Sequence, residues 1–235
     1  MEAKRFFVTP ADIEQDIIKI KGEEFKHLSK VLRYKLGYEL IVCDNTGYDY
    51  YAKLIALEKD CAYAQILKKS LNRNETVREI ILCQAVCKEI DFIVQKAVEL
   101  GVSKLLPFTS QFTNVAEINP ARLQSIAISA SKQCGRAKIM QILPLVDFAS
   151  MLEYTKEGDC IFFYEESQEK LAIENSSKAP LFIVIGSEGG FSKEEIALAH
   201  SKAIRTFSLG KRVLRAETAA VCGLVLTLDK IGELD

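Results

Sequence analysis

Apolar residues change their rhythm partway along the chain. Up to about residue 70 they fall in short β-rich runs, at 5–8, 17–20, 39–44 and 48–57, with turn residues between them. Asn45-Thr46-Gly47 reads as a hairpin turn. Between the second and third runs, residues 23–36 carry Phe25, Leu28 and Leu32 at helical core spacing, with Lys26, Lys30, Arg33 and Lys35 mostly off that face. The pattern predicts a small barrel with one helix. Over 68–78 (KKSLNRNETVR) the apolar rhythm lapses into a polar stretch that suits a linker. The expected boundary there divides the chain into units of residues 1–72 and 73–235.

Beyond the boundary, strand and helix patterns alternate. Residues 80–86 read as a strand, 88–100 as a helix closed by Gly101, 104–108 as a strand and 120–134 as a helix. Further apolar runs at 159–164 and 181–185 read as buried strands, and a last helix begins near Glu217. Alternation of this kind predicts an α/β unit, a parallel sheet with helices on both faces. Val221, Leu224, Val225 and Leu228 give the last helix an apolar side for the sheet or for a second subunit.

Two turns concentrate the special chemistry. The first, Gly186-Ser187-Glu188-Gly189-Gly190, follows a buried strand and precedes a helix whose start carries the capping box Ser192/Glu195. Its glycines let a ligand touch the backbone, and the helix start offers free N–H groups. An ordinary strand-to-helix turn is the plainer reading, since neither the dinucleotide nor the Walker spacing is present. The second turn, 209–215, follows a short strand at 205–208 and sets Lys211, Arg212 and Arg215 beside Leu209, Val213 and Leu214.

As a pair the turns are more specific. GSEGGFS followed by SLGKRVLRAETAA resembles the signature of the SPOUT class of methyltransferases, and within it the ribosomal RNA small subunit methyltransferase E family. That family usually has Pro where this chain has Ser187, a departure that stiffens the turn less. HLSKVLRYKLG resembles the family's amino-terminal PUA-like RNA-binding β-barrel, and KEIDFIVQKAVELGVSKLLPF its next segment. The resemblance implies S-adenosylmethionine-dependent methylation of a uridine at N3 in 16S ribosomal RNA, without a metal. It also implies a knotted (trefoil, SPOUT-type) parallel-sheet domain that works as a homodimer. Carried over by position, Gly186, Glu188, Gly189, Gly190, Leu209, Gly210, Val213 and Leu214 border the cofactor. Arg5, Lys30, Arg33 and Lys35 would contact RNA phosphates.

Charge that develops on the uridine as N3 loses its proton needs a fixed cation, worth roughly 3 to 4 kcal/mol by analogy with one oxyanion donor. Arg215 and Arg212 are the candidates, with surface phosphate binding or an ion pair to Glu217 as the alternative. Gln133 and Arg136 match the family's Gln-x-Gly-Arg region and so could face the site, but a helix C-terminus capped by Gly135 accounts for them comparably. Glu188 and Glu217 are the nearest carboxylates, and capping is the plainer role for both. His27 and His200 stand away from both turns.

Composition narrows the setting. With 235 residues, 49% of them hydrophobic, the chain can fill a packed core, and a net charge of −1 excludes a uniformly basic coat without excluding a local RNA-binding patch. Seven cysteines without a C-x-x-C pair read as reduced thiols rather than a zinc site. The odd cysteine count, the absence of a secretory pattern and the lack of a bilayer-length apolar run point to the cytoplasm. Two rivals remain, another SPOUT activity such as ribose 2′-O methylation and a non-catalytic RNA-binding module. Transfer of a labelled methyl group, and the atom that receives it, separate the three.

Overall fold

In the amino-terminal part the β-rich runs become six strands: β1 (Arg5–Phe7), β2 (Ile13–Glu14), β3 (Ile17–Lys21), β4 (Glu39–Cys43), β5 (Tyr48–Leu57) and β6 (Cys61–Leu71). The structure is a computed structural model that describes residues 3–114, 117–173 and 177–234. It divides into two units, one formed by the chain up to Glu75 with Ser131–Ile139, the other by Thr76–Ala130 with the chain from Met140 onward.

In the first unit the strand order is β1-β4-β5-β6-β3-β2, antiparallel except for the parallel pair β1 and β4. Phe6, Ile18, Ile20, Leu28, Leu40, Val42 and Leu54 point inward and form its core. Two sequence expectations change here. Strand β6 continues into the polar stretch through its pairing with β5, as far as Leu71 opposite Tyr48, and Lys68 and Lys69 lie over the rings of Tyr51 and Tyr48. The single helix expected over 23–36 is shorter. It consists of α1 (Gly22–Lys26) and a wide π-helical turn, His27–Val31, closed by Leu32 N–H donating to the His27 carbonyl at 2.9 Å. Arg33 then adopts φ 54°, a left-handed conformation that no helix continues through.

Arg5 is drawn inside this unit. Its side chain is 8% exposed, donates to both Asp49 carboxylate oxygens and to Cys43 Sγ at 2.7 Å, while Asn72 also donates to Asp49 Oδ2 at 2.9 Å. Burial alone would raise the Asp49 carboxyl, but the Arg5 guanidinium and the Asn72 amide outweigh it and hold the carboxyl below its usual value. The pair's contribution is therefore complete above the ordinary carboxylate range and disappears as the pH falls through the lowered value. Replacing Asp49 by alanine leaves a buried guanidinium uncompensated, and the expected loss is about 3 to 5 kcal/mol. Urea unfolding followed by circular dichroism measures it, and a loss below about 1 kcal/mol would mean that water reaches the pair.

The second unit starts with β7 (Ile80–Ala85), α2 (Ile90–Glu99), β8 (Lys104–Thr109) and α3 (Pro120–Cys134), whose last residues group with the first unit. Then come β9 (Gln141–Ile142), β10 (Val146–Asp147), α4 (Phe148–Tyr154), β11 (Asp159–Phe163), β12 (Leu181–Ile185), α5 (Lys193–Ser201), β13 (Thr206–Phe207) and α6 (Ala216–Ile231). All pairs are parallel, in the order β10-β8-β7-β12-β11-β13 with β9 beside β8. Near-continuous apolar strands are what a sheet covered on both faces requires, and every residue of β7 and β12 is buried. The chain reaches the outer strand β13, then turns back to α6, which packs on β12 and α2.

Sequence patterning missed α4, whose start is fixed by Asp147 accepting from Ser150 N–H at 2.7 Å. Among the described residues no helix is long and apolar enough to cross a membrane, and no cluster of His, Cys, Asp or Glu could hold a metal ion. Among the described residues no cysteine is joined in a disulfide.

Candidate active site at the carboxyl edge of the parallel sheet

Strand β12 lies between β7, the first strand of this unit, and β11, so the order of the sheet reverses there. Ligands in parallel sheets gather outside the carboxyl ends of strands at such a point. Both expected turns meet there. One pocket is lined by Gly186, Glu188 and Gly190 from the first turn and by Leu209, Gly210, Arg212, Val213 and Leu214 from the second. Phe163, at the end of β11, and Tyr164 and Glu165 just after it also line the wall. Periodicity gave no sign of these three. The signal was available in the carboxyl end of the buried CIFFY strand, since parallel strands present ligands at that end.

The first turn is anchored from both sides. Gly190 N–H donates to the Ser187 carbonyl at 3.1 Å, which closes the turn, and Gly190 takes φ 68°. Phe191 then buries its ring among Phe108, Phe148 and Phe162, 4.6 Å from the Phe162 centroid, an anchor worth about 2 to 3 kcal/mol. The expected capping box is present, with Glu195 N–H on Ser192 Oγ at 3.2 Å and Ser192 N–H on Glu195 Oε2 at 2.9 Å. Glu195 Oε1 also accepts from Gln111 N–H at 2.8 Å, which ties the segment before Phe112 to the same helix. From below, the buried Gln84 amide donates to the Gly186 carbonyl at 3.1 Å.

The glycines differ in what they do. A Cβ at Gly189 would stand 2.6 Å from Phe112 Cβ and 3.2 Å from its carbonyl oxygen, so Gly189 makes room for a neighbouring loop and does not line the pocket. A Cβ at Gly190 would run into the Glu165 carboxylate, and Gly210 has open space but φ 114°. Glu188 reaches outward, its Oε1 accepting from Lys88 N–H at 3.0 Å, and so ties the turn to the segment before α2.

Arg212 lines the pocket, and Arg215 stands at the N-cap of α6. Both are exposed, and among the described residues no carboxylate pairs with either, so the ion pair with Glu217 is not formed. Arg136, in contrast, is 3% exposed in the first unit. It donates to Glu75 Oε2 at 2.9 and 3.1 Å, and Glu75 Oε1 receives the N–H groups of Ala137 and Lys138. Gln133 is exposed on α3, and Gly135 caps that helix at φ 82°. Lys30, Arg33 and Lys35 are exposed on the first unit. His27 packs near Phe6 and His200 near Thr206, away from both turns.

Burial pushes the Cys87 thiol up to about 12, and the charges of Glu188 and Glu217 add to the effect. The thiol is protonated at neutral pH and is no nucleophile. What the pocket offers is backbone polar groups, aliphatic and aromatic walls, one cation, Arg212, and two carboxylates, Glu165 and Glu188.

The fold and this pocket define an RNA-modifying methyltransferase of the SPOUT class. The sequence profile of the RNA methyltransferase domain matches residues 73–227, and that of the RNA methyltransferase PUA domain matches 20–67. Ribosomal RNA small subunit methyltransferase E of Buchnera aphidicola is 30% identical over 232 residues, covering 94% of this chain and 92% of the relative. Its Bacillus subtilis counterpart is 27% identical, covering 94% of each. A structure of the Neisseria gonorrhoeae enzyme of the same name, bound to S-adenosyl methionine, superposes with a TM-score of 0.89 at 30% identity over 97% of this chain and 98% of that one. The chain belongs to the ribosomal RNA small subunit methyltransferase E family.

Proposed function

We propose that this chain methylates N3 of a uridine in 16S ribosomal RNA, with S-adenosylmethionine as methyl donor. The observation that carries the reading is the convergence of the two signature turns on one pocket at the carboxyl edge of the sheet. The cofactor, when bound, supplies an electrophilic methyl group. Leu209, Leu214 and Phe191 give apolar walls for its base, and the turn glycines give backbone donors and acceptors. Arg212 and Arg215 stabilise the negative charge that spreads over O2 and O4 as N3 is deprotonated. Arg136 has the same candidate role by position, although its guanidinium is committed to Glu75. Residues 73–235 are the catalytic part in this reading, and 1–72 bind RNA. The enzyme works in the cytoplasm as a homodimer through α6, where Val225 and Leu226 expose apolar surface.

The deciding experiment incubates the chain with small-subunit RNA and labelled S-adenosylmethionine, then identifies the modified nucleoside by mass spectrometry. The expected product is 3-methyluridine. A ribose-methylated nucleoside would reassign the acceptor, and RNA binding without transfer would leave a binding module.

Lys30 and Arg33 position the RNA in this reading. Their double replacement by alanine should weaken RNA binding and flatten its salt dependence by roughly one unit of slope per lost phosphate contact, with cofactor affinity unchanged. An unaltered slope in a salt titration would make them a solvated face.

A further inference from the structure

Two carboxylates follow β11, and the structure treats them differently. Glu166 Oε2 accepts from the Tyr164 hydroxyl at 2.8 Å, whereas no described residue donates to Glu165. Glu165 lines the pocket. Its only carboxylate companion there, Glu188, is engaged by Lys88 N–H. Room for Glu165 is kept by Gly190, since any Cβ at that position would fall on Glu165 Oε1. In a pocket whose other carboxylate is already engaged, a carboxylate to which no described residue donates, set against the turn, is an acceptor for a ligand.

We propose that Glu165 recognises the cofactor by accepting hydrogen bonds from its donor groups, an assignment that rests on the methyltransferase reading above. S-adenosylmethionine carries two kinds of donor a carboxylate can grip with both oxygens, the vicinal ribose hydroxyls and the α-ammonium. In either case the residue at 190 is constrained by Glu165 and not by the ligand alone.

Calorimetry on the full chain with S-adenosylmethionine, S-adenosylhomocysteine and adenosine tests this. Glu165→Ala should raise the first two dissociation constants by about tenfold or more, with Glu165→Gln between it and wild type. The melting temperature of the ligand-free protein should not move, because the side chain is exposed. Adenosine affinity that falls in parallel assigns the ribose, and adenosine affinity that holds assigns the ammonium. A double-mutant cycle adds a readout that a merely structural role would not shift: Gly190→Ala should cost less affinity in the Glu165→Ala background than in wild type. Wild-type affinities for all three ligands in Glu165→Ala would overturn the assignment alone. A wild-type chain that bound none of them would overturn the cofactor reading and the assignment together.

Discussion

Replacing Arg215 by alanine is expected to slow single-turnover methylation by about 100-fold or more while leaving the S-adenosylmethionine dissociation constant within about twofold. The reason lies in where the residue stands. It caps α6 with extended backbone (φ −65°, ψ 155°), directly after the turn that lines the pocket, and no carboxylate among the described residues neutralises it. A guanidinium left unpaired at the edge of a pocket can follow charge that develops only in the transition state, which lowers the barrier without tightening the ground state. Lysine should restore part of the rate, since a point charge lacks the planar fork. Arg212→Ala in the same assay serves as the comparison, because Arg212 lines the pocket itself. A wild-type rate for Arg215→Ala at saturating RNA and cofactor removes that residue from the chemical step.

Gly189→Val should cost the chain most of its cofactor affinity, by about 30-fold or more, in a protein that still folds. The effect is indirect. Valine at 189 puts its Cβ within 2.6 Å of Phe112 Cβ, and the turn must move away from the loop that supports it. Backbone at Gly186 and Gly190, which does line the pocket, moves with it. Removing the obstructing atom by Phe112→Gly in the same chain should recover part of the affinity, an outcome that a direct ligand contact at 189 would not give. Unchanged affinity in folded Gly189→Val, by calorimetry, would show that the turn yields without disturbing the pocket.

Both predictions began with the sequence and were altered by the structure in different ways. The glycines, the cations and the capping box were legible because each is a local requirement: a backbone that turns sharply, a helix that needs its first N–H groups satisfied. What separates Gly189 from Gly190 was not legible. One faces Phe112 and the other Glu165, residues 77 and 25 positions away by their numbering, and contact across such separations leaves no period in the sequence. Arg5 and Arg136 teach the same point about charge. Both look like free cations in the sequence, yet each folds against a carboxylate, Arg5 against Asp49 and the buried Arg136 against the half-buried Glu75.

By itself the sequence determined that a β-rich unit precedes a strand-and-helix unit, because the rhythm of apolar residues fixes which local structures can bury a face. It also determined the two turns that carry the signature, because glycine and capping residues act within a few positions of themselves. Only the tertiary structure decided how the strands are ordered, since β12 enters between β7 and β11 through pairings that local propensity does not encode. That order brings the end of β11 into the pocket wall and places Glu165 beside Gly190. Burial and hydrogen-bond satisfaction, which depend on the whole packed chain, chose which charged groups are spent on the fold and which stay free for a ligand.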